Sequence, residues 1–291
     1  MKARTQRRLV GLVFLGVPLL WLLVFTVLPI MLVLALSLCS YDVLTAPRAA
    51  GLANYLDLGD DPLFWRALRN TLLFVAGTVP TGIVLSLLLA LLLNTRLRGA
   101  AFFRTACYLP VIAPMIAASL VWILFCDAPT GLFNYTLSSV GFAPQRWLTD
   151  PRLAMPSIIA MSVWKGLGVN MVIFLAALQA VPRELIEAAN LDGAGRVRGF
   201  RSVTLPLLGP ATLYVTTTSL IASFQVFSQV YVMTRGGPNN ATTTLVQYIY
   251  QTAFVNLDMG YACSMATLLF AGLAVVSLLN VRMFRRYESV A

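Results

Sequence analysis

Catalytic chemistry is scarce in this chain. It contains no histidine, and its four cysteines (Cys39, Cys107, Cys126 and Cys263) form no CxxC pair. Imidazole relays, His-based triads and the usual zinc sites are therefore excluded, and packing is the expected role of the thiols. No GxxxxGK[ST] phosphate loop is present, and neither lysine, Lys2 or Lys165, stands in such a loop. What remains is recognition chemistry of three kinds. One is the polar run EAANLDGAGRVRGFRSVTLPLLGP, residues 187–210; the second is the single cation Lys165 inside an apolar run; the third is a set of amides and hydroxyls (Asn170, Thr217, Ser219, Ser223, Gln225, Ser228 and Gln229) in segments otherwise oily.

The elements that position these groups follow from composition. With 59% hydrophobic and only 11% charged residues, and a mean hydropathy of +0.81, the 291-residue chain reads as an integral membrane protein with one membrane domain, 1–291. Apolar runs of the ~20 residues needed to cross a ~30 Å hydrocarbon core lie at about 10–37, 71–93, 107–126, 155–179, 208–232 and 261–281. Evenly spaced short strands are absent and unpaired backbone is costly in lipid, so six helices and an all-α fold are expected. Pro18, Pro29, Pro80, Pro110 and Pro114 fall within or at the ends of these runs, where they are expected to shape packing rather than act as hinges.

Charge sets the orientation. With both termini cytoplasmic, the inner segments hold fourteen of the 21 cations: Lys2, Arg4, Arg7, Arg8, Arg96, Arg98, Arg104, Arg183, Arg196, Arg198, Arg201, Arg282, Arg285 and Arg286. The outer loops hold six, Arg48, Arg66, Arg69, Arg146, Arg152 and Arg235, with seven of the 11 acids. The net charge of +10 thus expresses topology and attraction to anionic lipid rather than nucleic-acid binding. Arg7 and Arg8 before the first run, and LSLC ending at Cys39, have the look of a secretion signal. The run is nearly twice the length of a signal core, however, so an uncleaved first span is expected.

On this topology the loop 180–207 is cytoplasmic. Pro182 opens a short helix that Arg183–Leu191 continue, and Gly193 ends it as a left-handed cap. Leu185, Ala188, Ala189 and Asp192 share a slim face at three- and four-residue spacing, flanked by Arg183, Glu184 and Glu187. Such a helix suits another protein's groove, or the membrane surface. Lys165 either serves a functional site at mid-depth or snorkels, capping a broken helix beside Gly166 and Gly168.

The pattern EAAxxxG, nine residues, then I-x-L-P is that of the signature loop of permease subunits of bacterial binding-protein-dependent ABC importers, which this chain resembles. Here it comprises Glu187, Ala188, Ala189, Gly193, Leu205 and Pro206, with Val203 where Ile is usual. The segments 54–74, 131–159, 163–194 and 230–254 are similar to the sugar branch, the maltose and glycerol-3-phosphate type, and to its first permease subunit. The resemblance implies the type I importer fold in the bacterial inner membrane. It also implies a coupling helix seated on a cytoplasmic ATPase, with Glu187, Ala188, Ala189, Asp192, Gly193, Leu205 and Pro206 at the contact and a second short helix over 196–204. Its implied partners are a second related permease, two ATPase subunits that use ATP and Mg, and an extracytoplasmic sugar-binding protein. The chain itself then binds no cofactor and catalyses nothing. A carbohydrate pathway is expected between the fourth and fifth runs, near Asn170, Gln225 and Gln229. Lys165 and the aromatic faces of Trp164, Phe224, Phe227 and Tyr231 stand beside it.

The competing class is an ion- or proton-coupled secondary carrier. Its spans would ordinarily hold mid-depth carboxylates, often in two matching halves. All 11 acids here lie in loops or at span ends, and no internal repeat is evident.

Overall fold

The computed structural model describes residues 14–95 and 99–288, with side chains to Met283. Lys2, Arg4, Arg7, Arg8, Arg96 and Arg98 of the inner cation set, residues 10–13 of the first run, and the side chains of Arg285 and Arg286 lie outside the described residues. Among the described residues four helices are long and apolar enough to cross a bilayer: α1 (Phe14–Leu36), α3 (Pro62–Leu93), α7 (Ala154–Ala180) and α12 (Met259–Glu288, apolar to Met283). Two bent pairs raise the number to six if each is one span. These are α4 (Ala100–Ile112) with α5 (Met115–Phe125), bent by 102°, and α9 (Arg196–Leu207) with α10 (Gly209–Phe224), bent by 66°.

Two expectations are thereby corrected. The third run, 107–126, is not one straight helix: it breaks at Ala113 and Pro114, both extended. A proline disfavours the α conformation at the residue before it and donates no N–H. The fifth run, 208–232, is also interrupted. α10 ends at Phe224, Gln225–Phe227 leave the helix, and α11 (Ser228–Met233) resumes. The other prolines behave as expected, since α1 continues through Pro18 and Pro29, α3 through Pro80 and α4 through Pro110.

The chain divides into two compact units. The first, residues 1–61 with 249–271, contains α1, α2 (Ala53–Asp60) and a feature absent from the all-helical expectation. This is a two-stranded antiparallel ribbon, β1 (Cys39–Ser40) with β2 (Arg48–Ala49), in the register Cys39↔Ala49. Asn54 Nδ2 donates to the carbonyls of Ser37 (2.9 Å) and Cys39 (3.0 Å), tying α2 beneath the ribbon. In the ribbon's loop the Thr45 backbone N–H, then its hydroxyl, hold the Asp42 carboxyl below the usual carboxylate range.

The second unit, residues 62–248 with 272–291, is built on α3 packed along α7, with α4 and α10 against the same pair. Lipid tails are as apolar as leucine, so association here depends on close packing and hydrogen bonds rather than on water exclusion. One core joins Phe74 of α3, Ile158 and Met161 of α7 and Val230 of α11. A second joins Ala90, Met171, Phe174, Leu208 and Val215. Gly168 lets α4 approach α7 at backbone distance: a Cβ there would lie 2.5 Å from the Cys107 carbonyl oxygen and 2.9 Å from Tyr108 Cα. Asn280 Nδ2 donates to Thr217 Oγ1 at 2.6 Å, so Thr217 acts as a helix tie. Outside the spans, α6 (Leu132–Ser139) is anchored by Asn134. Its amide donates to the Ala128 and Gln145 carbonyls and accepts from Gln145 N–H and Trp147 Nε1.

Candidate functional site

A cavity of about 370 Å³ opens among α3, α5, α7, α10 and α11. The gap between α10 and α11 creates much of its wall, because Gln225–Phe227 turn backbone and side chains out of the helical ladder there. The carbonyls freed by such a gap need donors. The Thr244 hydroxyl supplies one, bonding the Val226 carbonyl at 3.1 Å from a fully buried position.

Five of the eight sequence-predicted pathway residues line this cavity: Lys165, Asn170, Gln225, Phe227 and Gln229. Asn170 Nδ2 reaches Ser219 Oγ at 3.4 Å, and Gln229 Nε2 reaches Ser162 Oγ at 3.3 Å. Both are long bonds, which leaves much of each amide's donor and acceptor capacity uncommitted. Trp164, Phe224 and Tyr231 lie outside the lining. Trp164 packs against Trp122, ring centres 5.7 Å apart, and Tyr231 stacks behind Phe227 at 5.3 Å. Residue type alone does not separate a ring on the wall from a ring one layer back.

Lys165 fills the structural role, capping a broken helix. Its ammonium donates to the carbonyls of Pro110 (2.9 Å) and Ala113 (2.7 Å), with Val111 at 3.4 Å. The broken helix is α4, at its C-terminal end, and not α7, which carries Lys165, Gly166 and Gly168 without interruption. A cation at a helix C-terminus satisfies orphan carbonyls and opposes the negative end of the helix dipole. Lys165 also lines the cavity, so the cap and the cavity wall are one side chain.

Two polar lining residues escaped the sequence reading: Thr78 of α3 and Ser162 of α7. Each bonds the carbonyl four residues back, at 2.7 Å, and each also reaches across to a neighbouring helix, Thr78 to Ser223 Oγ at 3.1 Å. A hydroxyl that can satisfy itself locally gives no sequence signal that it faces a cavity.

The second candidate feature is the polar hairpin after α7. Only Val181 and Pro182, both extended, separate α7 from α8 (Arg183–Leu191). Gly193, at φ +77°, ends α8 as expected. Its N–H bonds the Asn190 carbonyl (3.1 Å) and that of Ala194 bonds Ala189 (2.9 Å), the two bonds of a Schellman cap. The second short helix is present as well, with 196–199 α-helical and 200–204 wound as a π turn within α9. Glu187, Ala188, Asp192, Gly193, Leu205 and Pro206 are exposed, and Ala189 is half-buried. Around them Leu185, Ile186 and Val197 are exposed too, and Leu191 is 89% accessible. An apolar crest ringed by Glu184, Glu187 and Arg183 has the composition of a protein-docking surface.

Residues 82–289, from mid-α3 onward, match the family described as binding-protein-dependent transport system inner membrane component. The chain belongs to that family. It is a multi-pass permease of the inner membrane. Among its relatives, the permease is 37% identical to the arabinooligosaccharides transport system permease protein AraP of Bacillus subtilis (strain 168), over 80% of this chain and 75% of that one. It is 36% identical to the lactose transport system permease protein LacF of Rhizobium radiobacter, covering 93% and 92%. It is also 36% identical to the sn-glycerol-3-phosphate transport system permease protein UgpA of Yersinia pestis bv. Antiqua (strain Antiqua), covering 82% of each. Its fold matches that of a chain in the crystal structure of a bacterial alginate ABC transporter in complex with an alginate pentasaccharide-bound periplasmic protein. The TM-score is 0.86 at 23% identity, with 98% of this chain and 97% of that one covered. The type I importer permease fold is thus present.

Proposed function

We propose that this permease is one half of the membrane pathway of an ATP-driven importer, and that it carries a carbohydrate delivered by an extracytoplasmic binding protein. The observation that supports the reading best is the cavity wall: amides and hydroxyls from four helices beside the one cation Lys165, with no carboxylate. A hydroxyl-rich solute crossing lipid needs its hydrogen bonds replaced, and amides do this without the desolvation cost of a charge. The relatives are named for the transport of arabinooligosaccharides, lactose and sn-glycerol-3-phosphate, which supports the same class. The exposed α8–α9 hairpin is the surface for the ATPase, with both termini on the same cytoplasmic side. Glu187 pairs with a cation of that ATPase, and Gly193 shapes the turn between the two docking helices. ATP and Mg belong to the ATPase subunits, of which two complete the assembly with a second homologous permease.

Uptake of a saccharide panel into proteoliposomes tests this, with the four-subunit complex, the binding protein outside and ATP inside. Uptake is expected to require ATP and the binding protein. Asn170→Ala or Gln225→Ala should lower it or change the preferred sugar while basal ATP hydrolysis survives. Uptake driven by a proton gradient without ATP overturns the reading in favour of a secondary carrier. Unchanged kinetics in both variants place the pathway elsewhere.

A further inference from the structure

Three of the six cations that the charge rule leaves on the outer side gather around one cavity of about 480 Å³. Arg66 and Arg69 come from the first turns of α3 and Arg152 from just before α7; all three are exposed. No carboxylate lines the cavity. Asp150, close by in sequence, accepts the backbone N–H of Arg152 at 2.7 Å but is not part of the wall. Arg66 Nη1 donates to the Asn239 carbonyl at 3.2 Å, which orients one guanidinium at the rim. Asn70 fixes the same loop from below, donating to the Asn240 and Thr243 carbonyls. The other side of the cavity is apolar, with Leu73, Met155 and Ile159 descending along α3 and α7.

Depth decides what such a site can hold. The apolar run of α3 begins near residue 71, so at ~1.5 Å per residue Arg69 and Arg66 stand about 3 and 8 Å outside the hydrocarbon. Arg152 precedes the apolar run of α7 by three residues, about 5 Å. The polar headgroup layer of a bilayer leaflet is roughly 5–8 Å deep. The backbone of all three arginines therefore lies at the level of the headgroups, within side-chain reach of lipid phosphates, while Leu73 and Ile159 lie at the level of the first acyl carbons. We propose that this cavity seats an anionic phospholipid, its phosphate forked by Arg66, Arg69 and Arg152 and one acyl chain lying against Leu73 and Ile159. Guanidinium is the suitable cation, since its planar fork matches a phosphate and is weakly hydrated. A docked soluble protein would meet groups farther from the hydrocarbon, and a saccharide has no use for the apolar floor.

The test uses the assembled complex in nanodiscs of phosphatidylcholine containing phosphatidylglycerol, followed by graded delipidation and native mass spectrometry. Wild type is expected to retain one phosphatidylglycerol per permease preferentially. At roughly fivefold per guanidinium, Arg69→Gln with Arg152→Gln should cut that preference about 25-fold. Arg69→Lys with Arg152→Lys, which keeps the charge without the fork, should retain part of it, and Arg48→Gln, a cation outside the cavity, should leave it intact. Equal retention in the double Gln variant overturns the proposal. So does loss of binding-protein association with lipid retention unchanged, which assigns the arginines to an acidic protein face. Displacement of the lipid by inorganic phosphate alone at equal concentration also overturns it, because the apolar floor would then contribute nothing.

Discussion

Replacing Lys165 by methionine keeps the aliphatic stem and deletes the ammonium. Two carbonyls at the end of α4, Pro110 at 2.9 Å and Ala113 at 2.7 Å, lose their donor; Val111, at 3.4 Å, is too long to weigh equally. Hydrogen bonds to a charged group contribute about 1.5–3 kcal/mol each, so the gross loss is about 3–6 kcal/mol. Two effects offset it: the variant no longer holds a partly desolvated charge, and water in the open cavity can reach the freed oxygens. A net cost of about 2 kcal/mol remains, a factor of about 30 in the equilibrium between the closed and frayed last turn of α4. Hydrogen–deuterium exchange of the assembled complex reads this directly, because local opening sets amide exchange when reclosing is fast. The Val111 and Ile112 amides should exchange about 30-fold faster, with α7 itself unchanged. If exchange in that turn is unaltered, Lys165 does not hold the end of α4. Any transport defect of the variant then belongs to its charge in the cavity.

Gly193→Pro should leave the permease inserted but uncoupled. Proline cannot adopt φ +77° and lacks the N–H that bonds Asn190, and ATP-dependent uptake should fall to background. Glu187→Lys should give the same phenotype through charge reversal, measured as uptake against ATPase co-purification. A reporter fused after residue 195 should read as cytoplasmic and one fused near residue 140 or 240 as external; an external signal at 195 would reverse the assigned orientation. Asn134→Leu removes four hydrogen bonds from a residue only 4% exposed, and should cost about 2–4 kcal/mol. Faster proteolysis between residues 128 and 147, with the spans intact, is the expected readout.

The parts of the fold legible in the sequence are those with local causes. Pro182 and Gly193 bracket α8 because fixed φ at one end and positive φ at the other are properties of single residues. Length and apolarity place the long helices for similarly local reasons. The two breaks are different. Pro80 leaves α3 whole, whereas Pro114 stands at a 102° bend, and the residue type is the same. What differs is the support: the freed carbonyls before Pro114 find Lys165, more than fifty positions away. At Gln225–Phe227 neither glycine nor proline announces the gap, and the donor, Thr244, is 18 residues on. A break inside an apolar run is permitted by a distant partner, so no local window contains its cause. Trp164, Phe224 and Tyr231 fall outside the cavity lining for a related reason. Both walls of a helix pair are apolar in this chain, and the pattern no longer says which face is inside.

α7 runs without interruption for 27 residues, about 40 Å, and, besides its packing along α3, is held by α4 at one place. There, within a single turn, Lys165 holds the end of α4 and Gly168 lets its backbone press close. Taken as a fulcrum, that turn lies near the middle of the helix, with the cavity amide and the hairpin on the same side of it. Asn170 lies about 5 Å from it, and Ala180, two extended residues short of the exposed hairpin, about 20 Å away. A tilt of about 5° would carry Ala180 roughly 1.7 Å but Asn170 only about 0.4 Å at the ~1.5 Å rise of an α-helix. The arrangement is a lever with its short arm in the cavity. It trades travel at the hairpin for about fourfold greater force at Asn170 in the cavity wall, the ratio suited to prising open a close-packed wall rather than moving it far.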